Sequence, residues 1–228
     1  MALILCLETA TEVCSVGLSE NGTLLAMAGT SGPMDHAARL TSVIASCLEQ
    51  AGKEMRALDA VAVSHGPGSY TSLRIGYSSA KGIAYALGVP IIEIDTLQAL
   101  ALRALAVSGL PGALCCAMLD ARRMEAYYAF YSAAGAALTN PVAGELTRGM
   151  FDSWYAEGKT VLYTGNAAEK FSRVHQHPDA VFLPLGVSAE TFPVLAEKKY
   201  VGGIFADTAY CGPLYLKPPN ITQAKALI

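Results

Sequence analysis

Residues 65–76 form the stretch of the chain with the clearest capacity to bind a ligand. They read His-Gly-Pro-Gly-Ser-Tyr-Thr-Ser-Leu-Arg-Ile-Gly, follow an apolar run and precede a segment of helical periodicity. Gly66 and Gly68 permit backbone angles that other residues avoid, and Ser69 or Thr71 can cap the following helix. The donors at such a helix start suit an anion such as a phosphate or a carboxylate. The alternative is a structural turn, because neither common phosphate-loop pattern is present.

Few other side chains suggest catalysis. The six cysteines include no Cys-x-x-Cys pair, and several lie in apolar runs, which favours packed thiols in a reducing, cytoplasmic setting. His175 and His177 stand two residues apart in a polar turn, which is typical of solvated surface rather than of a metal site. His65 could contact a bound anion or serve in capping or packing. Ser69 lacks a Gly-x-Ser-x-Gly elbow, so we predict no nucleophilic catalyst.

The composition indicates a folded chain with no general affinity for nucleic acid. Its 228 residues are 53% hydrophobic and 15% charged, which is enough for one large or two modest cores. A net charge of -3 does not attract polyanions, so any contact with RNA is expected through a partner. The first basic residue is Arg39, which predicts no signal peptide. Glycines and a proline interrupt the uncharged stretch 104–119, which predicts no membrane span.

The first half of the chain predicts three strands followed by alternating helices and strands. The strands are expected at 3–7, 13–18 and 23–28, with a hairpin turn at Asn21-Gly22. Asp35 can cap an amphipathic helix over 36–51, which Gly52 would end. A strand at 59–64, the glycine loop, a helix over 71–87, a strand at 89–94 and a helix over 96–107 follow.

The second half begins at a cluster of turn-forming residues around 106–112, where we place a domain boundary. Beyond it the pattern predicts strands at 114–119 and 126–131, a third that includes 136–138, a helix over 149–157, a strand at 160–163 and two further helices, the last over 188–200. Three strands thus open both halves. Paired halves of this kind suggest a duplicated α/β fold of the ribonuclease-H-like class found in actin, Hsp70 and sugar kinases, with lobes at 1–108 and 109–228 and a cleft between them.

Small side chains recur every fourth residue along the predicted 71–87 helix, at Ser72, Gly76, Ala80 and Ala84. This ridge would let a second helix pack closely, and Leu40 and Ile44 of the 36–51 helix are expected beside it. Gly76 and Gly82 would each cost roughly 1 kcal/mol relative to Ala in a helix interior, which favours a packing role. We predict that the ridge, with Leu40 and Ile44, forms a partner or dimer interface. The alternative is burial of the ridge within this chain.

Residues 66–76 also resemble the signature of the bacterial TsaB (YeaZ) family, which has Phe and Gly where Tyr70 and Ser72 stand here. Residues 5–10, 15–18 and 119–123 resemble the family as well. The resemblance implies the same duplicated fold and a role in forming threonylcarbamoyladenosine on tRNA, as the non-catalytic partner of a TsaD-type ligase. It further implies a TsaE-type ATPase in a larger complex, indirect contact with tRNA, and a homodimer when the ligase is absent.

In this superfold the first hairpin approaches nucleotide phosphates, so Glu8 could orient a metal-bound water and Thr9 could donate to an oxyanion. The alternative is a turn whose hydroxyls satisfy their own backbone. Asp120 begins Asp-Ala-Arg-Arg where the superfold commonly has Asp-Gly-Gly, which weakens a triphosphate site. We predict vestigial anion contacts at Glu8, Thr9, Ser69, Thr71 and Asp120, and no cofactor except ATP or ADP at an interface with a partner.

No metal site is expected either. Catalytic relatives hold a metal through two histidines four residues apart on a helix, whereas Leu40 stands four residues after His36. We therefore predict a non-catalytic subunit. The alternative is an enzyme in its own right, either an ATP-dependent transferase or a glycoprotease-like enzyme of the same superfold.

Overall fold

The first half of the chain folds into one mixed sheet and its flanking helices. The computed structural model describes residues 2–30 and 36–218, so the predicted cap at Asp35 lies outside the described residues. The elements are β1 (Leu3–Glu8), β2 (Ser15–Glu20), β3 (Thr23–Gly29), α1 (His36–Ala51), β4 (Ala60–Gly66), α2 (Tyr70–Leu87), β5 (Ile91–Asp95) and α3 (Thr96–Ser108). The sheet order is β3-β2-β1-β4-β5, in which β1, β4 and β5 are parallel.

The turn between β2 and β3 is the predicted two-residue hairpin. Asn21 and Gly22 have φ values of 52° and 74°, and the flanking Glu20 pairs with Thr23. Positive φ at both central residues is the geometry that Asn-Gly favours in tight hairpins. β1 lies between β2 and β4 and is buried along its whole length, which explains its nearly continuous apolar sequence.

The second half of the chain repeats this arrangement. Its elements are β6 (Leu114–Asp120), β7 (Glu125–Tyr131), β8 (Val142–Glu145), β9 (Val161–Thr164), α4 (Ala168–Ser172), β10 (Ala180–Leu183) and α5 (Phe192–Val201). The sheet order is β10-β9-β6-β7-β8, with β6 antiparallel to β7 and parallel to β9. Numbered from its own first strand, the second sheet therefore has the same order as the first. The chain has the predicted duplicated ribonuclease-H-like fold.

Three predictions for the second half are wrong in detail. The third strand is β8 rather than 136–138, where Ala137 makes only an isolated bridge to Tyr131. The helix predicted over 149–157 is a 3-10 helix over 152–158, which begins three residues later and ends one residue later. The short strand β10 was not predicted, although Pro178, Asp179 and Pro184 flank it. Its four residues, Ala180–Leu183, are too few to show a clear period, and the strand forms by parallel pairing with β9. Short edge strands of this kind depend on their partners more than on their own sequence.

The helices cross between the two sheets. Leu97 and Leu100 of α3 pack with Cys115 and Ala117 of the second sheet, although α3 precedes the predicted boundary. Conversely, Phe192 and Ala196 of α5 pack with Ile4 and Ile92 of the first sheet. We call the first sheet with its packed helices the first lobe and the second sheet with its helices the second lobe. A cut at residue 108 separates the two sheets but not the two cores.

Candidate functional site

A cleft of about 640 Å³ lies between the two lobes. The turn after β1, the glycine loop, the β6–β7 hairpin and the C-terminal residues 214–218 line it. Of the five predicted anion contacts, Ser69, Thr71 and Asp120 line this cleft. Glu8 and Thr9 are fully buried behind it. The structure thus brings three of the five residues to one cavity and places the other two in the core.

The glycine loop is a structural turn whose polar groups bond within the chain. The Ser69 amide donates to the Ala10 carbonyl at 2.7 Å, and the Ser69 hydroxyl caps α2 by accepting from the Ser72 amide at 3.5 Å. The backbone of Gly68 lies so close to Ala10 that a Cβ at this position would stand 2.5 Å from the Ala10 carbonyl oxygen. The loop therefore holds the turn after β1 through Gly68 and the Ser69 amide, while the Gly66 amide donates to the Thr96 hydroxyl.

The turn after β1 contains polar atoms that are buried without a partner. The Glu8 carboxyl accepts from the Ala10 amide through Oε1 at 2.6 Å, while its Oε2 and the Thr9 hydroxyl have no hydrogen-bond partner among the described residues. Burial raises the pKa of Glu8 to about 7, and the Ala10 amide only partly opposes this effect. Thr9 presses against α2, since a Cβ on Gly76 would lie 2.2 Å from its Oγ1. Glu8 and Thr9 thus pack within this turn and do not line the cleft.

The β6–β7 hairpin uses its carboxylate internally. Asp120 accepts from the Lys170 ammonium at 2.9 Å and from the Arg122 amide at 2.6 Å. Arg122 and Arg123 adopt φ values of 71° and 48°, in the region where the superfold commonly has glycines. Arg122 lines the cleft and both arginines are exposed. The hairpin therefore presents guanidinium groups rather than a bare backbone.

The predicted interface ridge is buried inside the first lobe. Ala80 and Ala84 are 0% and 1% exposed, and Leu40 and Ile44 of α1 belong to the same apolar core. Ser72 and Gly76 are buried as well, Gly76 against Thr9. The prediction that these six side chains form a partner or dimer surface is wrong, because the ridge packs α2 onto its own sheet and onto α1. Any partner contact of these helices must use their outer faces.

Comparison with known proteins places the chain in a family. A sequence model of the TsaD family, described as tRNA N6-adenosine threonylcarbamoyltransferase, matches residues 33–203. Two structures from Pseudomonas aeruginosa, one of YeaZ and one of an uncharacterized protein with similarity to peptidase YeaZ, have TM-scores of 0.83 and 0.85 and are 29% and 30% identical. Each comparison covers 95% of this chain and 100% of the other. This chain belongs to the TsaD family, on its TsaB (YeaZ) branch.

Curated relatives carry the name of that branch. The tRNA threonylcarbamoyladenosine biosynthesis protein TsaB of Escherichia coli is 37% identical over 128 residues, and that of Bacillus subtilis is 30% identical over 128 residues. Each alignment covers 56% of this chain and 54% of the relative. The chain spans about half the length of these curated relatives. The family resemblance of residues 66–76 is confirmed.

The ridge prediction concerned only the buried face of α2. In this TsaB-branch chain the opposite, outer face of α2 is the exposed one. Arg74, Ser78, Gly82 and Tyr85 are exposed along one stripe, and Tyr85 is 86% exposed. A Cβ on Gly82 would meet nothing within 4 Å. Gly82 therefore lies in an open helix interior, where glycine costs stability and no contact within the chain requires it. The sequence held one indication of this exposed surface, namely a glycine in the middle of the predicted helix.

The histidines serve in packing in the part of the chain that is described. His175 is buried, not solvated as predicted, and its Nε2 lies 2.7 Å from the Tyr155 hydroxyl. Burial lowers the pKa of His175. His65 bonds the Tyr77 hydroxyl at 2.8 Å through Nδ1. Among the described residues no three His, Cys, Asp or Glu side chains cluster as metal ligands, and the side chain of His36 lies outside them.

The thiols and helices of the described residues carry two further observations. Five cysteines are buried, and burial raises the pKa of Cys6 to about 12 and that of Cys14 to about 11. Thiols with raised pKa values are poor nucleophiles.

No described helix combines the length and the apolar character that crossing a membrane requires.

Proposed function

We propose that this chain takes part in forming N6-threonylcarbamoyladenosine on tRNA, as a non-catalytic subunit that binds and activates a TsaD-type ligase. The supporting observation is the outer face of α2, where the exposed residues Gly82 and Tyr85 lie about one helical turn apart. In this proposal tRNA and a TsaE-type ATPase meet the assembled complex. Any ATP or ADP binds at an interface with a partner, and a homodimer forms only when the ligase is absent.

The proposal that the chain is not itself a catalyst rests on the cleft. A triphosphate site of this superfold needs free backbone donors at both turns. At the first turn, Thr9 N–H already donates to the Ser64 hydroxyl and Ala10 N–H to the Glu8 carboxyl. At the second turn, Arg122 N–H already donates to the Asp120 carboxyl. The side chains of Arg122 and Arg123 stand where close approach of the backbone would require glycine. These features favour an accessory role over the alternative of a stand-alone ATP-dependent transferase.

The proposed docking surface combines the outer faces of α1 and α2, which pack against each other. Exposed residues of α1 include Ala38, Ser42 and Ala45, and those of α2 include Ser78 and Gly82. Small side chains on two adjacent helices let the backbone of a partner helix approach closely. Tyr85 provides a large exposed ring of the kind that contributes most to protein interfaces.

The test is a leucine at Gly82, measured by titration with the TsaD-type ligase. Because the position is open, Gly82→Leu should leave thermal unfolding unchanged or improved, while the added side chain holds a partner helix away. Affinity for the ligase should fall by about ten- to a hundredfold, and tRNA modification in the reconstituted system should fall with it. Gly186→Leu is the matched control, because Gly186 has equally open surroundings away from α2.

Two results would overturn the proposal. Normal ligase binding by Gly82→Leu would remove α2 from the interface. Turnover of Mg-ATP by the purified chain alone, with formation of threonylcarbamoyladenosine, would favour the alternative of an enzyme. Calorimetry with Mg-ATP and the isolated chain separates the two, since only a competent site binds nucleotide without a partner.

A further inference from the structure

A segment near the C-terminus bridges the two lobes across the mouth of the cleft. We call residues 206–218 the C-terminal strap. Its base, residues 206–211, is fixed to the first lobe: the Ala206 amide donates to the Ile91 carbonyl at 2.9 Å, and the Lys81 ammonium donates to the Ala209 carbonyl at 3.1 Å. The base thereby covers part of the edge of β5 and one side of α2.

The distal part of the strap, residues 214–218, forms a wall of the cleft. Leu214 N–H donates to the His65 carbonyl at 2.7 Å, and the Tyr215 ring stacks on Tyr70 with centroids 4.5 Å apart. Lys217 forms an ion pair with Glu125 on β7 of the second lobe. Residues 214–218 are thus held by both lobes at once.

The link to the second lobe is a weak one. The side chains of Lys217 and Glu125 are 26% and 38% exposed, and ion pairs with this exposure contribute little and are screened by salt. Between base and wall stand Gly212 and Pro213, and a Cβ on Gly212 would meet no atom of the described residues within 4 Å. A glycine with open surroundings beside a fixed base allows the following residues to change direction.

We infer that residues 214–218 act as a latch on the interlobe cleft, which turns about Gly212 and opens when the Lys217–Glu125 ion pair separates. Opening removes the wall formed by Leu214, Tyr215 and Lys217 and widens access to the cleft from that side. The base of the strap stays on the first lobe throughout. This inference concerns the isolated chain and does not depend on the proposed partner.

The test is hydrogen exchange of two amides in the full-length chain. Leu214 N–H reports the latch, and Ala206 N–H reports the base. Lys217→Met removes the ion pair from the strap and Glu125→Gln removes it from the second lobe, and each should speed exchange at Leu214 about two- to fivefold, the range expected for a partly exposed pair. The double variant should be no faster than either single variant, and Ala206 should keep its rate.

Two controls make the result decisive. Lys53→Met breaks a comparable pair with Glu20, at 2.9 Å and with 34% and 38% exposure, that lies within the first lobe, and it should leave Leu214 unchanged. High salt should speed exchange at Leu214 in the wild-type chain but not in Lys217→Met. Unchanged exchange at Leu214 in both ion-pair variants would overturn the latch. Equal acceleration of Ala206 would do so as well, because the strap would then detach as a whole.

Discussion

Glu8 shows how a residue suited to chemistry by type can serve structure by position. Its carboxyl closes the turn after β1 through the Ala10 amide, while its second oxygen is buried without a partner. A buried carboxyl is far less costly in its neutral form, which is why its pKa is raised to about 7. Between about pH 4.5 and about pH 7 the folded chain therefore holds a proton here that the unfolded chain has released.

The stability of the chain should consequently depend on pH through Glu8. Because the folded state binds more protons than the unfolded state, the free energy of unfolding falls as pH rises from about 4.5 to about 7. Glu8→Gln does not titrate, so relative to wild type it should gain about 3 kcal/mol over that range. Urea unfolding at pH 5 and pH 8 measures the gain. Glu12→Gln is the control, since Glu12 is exposed in the same turn. An equal gain in both variants would contradict the assignment to Glu8.

The sequence indicates which side chains are polar at this site but not which are buried. Glu8 and Thr9 follow an apolar strand and precede a polar turn, so their pattern predicts an exposed position near ligand. Burial comes from the glycine loop and α2, which are more than fifty residues away in the chain and pack on that turn through Gly68 and Gly76. Contacts between residues this far apart in the sequence cannot be inferred from its local periodicity. Ser69 was predictable as a cap because capping is local.

At the scale of elements, α2 has two faces of small residues with opposite roles. The inner face at Ala80 and Ala84 packs against the core, and the outer face at Ser78 and Gly82 is exposed. Sequence spacing predicted the helix and its small residues, because both follow from local pattern. It could not tell which face the sheet covers, since that depends on how α2 docks on β4 and α1.

Substitutions on the two faces should therefore have opposite effects on the fold. Ala80→Leu adds bulk at a site that is 0% exposed and should destabilise the isolated chain by about 1–3 kcal/mol. Gly82→Ala should stabilise it by about 1 kcal/mol, because the position is open and helical. Thermal unfolding of the two variants in parallel checks the pair. Similar shifts in the same direction would show that the faces have been assigned wrongly.

At the scale of the whole molecule, the two lobes share their helices. The sequence predicted the duplicated order of strands because each half repeats the same succession of patterns. It did not predict that α5 returns to the first sheet, since the apolar side chains of a helix do not indicate which of two apolar surfaces will cover them. The boundary at residue 108 was placed by a cluster of turn-forming residues. That cluster does not indicate that α5 packs on the first sheet.

The crossing predicts that both lobes unfold together. Phe192 belongs to the second half of the chain but packs under the first sheet, and Phe192→Ala should cost about 3–5 kcal/mol. Trp154 lies in the second lobe, stacked on Phe130 at 4.1 Å, and reports that lobe by fluorescence. In Phe192→Ala the fluorescence midpoint and the far-UV circular dichroism midpoint should fall by the same amount. Separate midpoints would mean that the lobes unfold independently.

The position of α5 also sets an order of events during synthesis. One apolar face of the first sheet, which includes Ile4, Ala62 and Ile92, is covered by Phe192 and Ala196. A chain emerges from the ribosome with its N-terminus first, so the strands of this face emerge long before α5, which covers them. The first lobe can complete its core only after the second sheet has emerged. During synthesis this apolar face therefore stays without its cover from the emergence of β5 until that of α5, a delay of about a hundred residues.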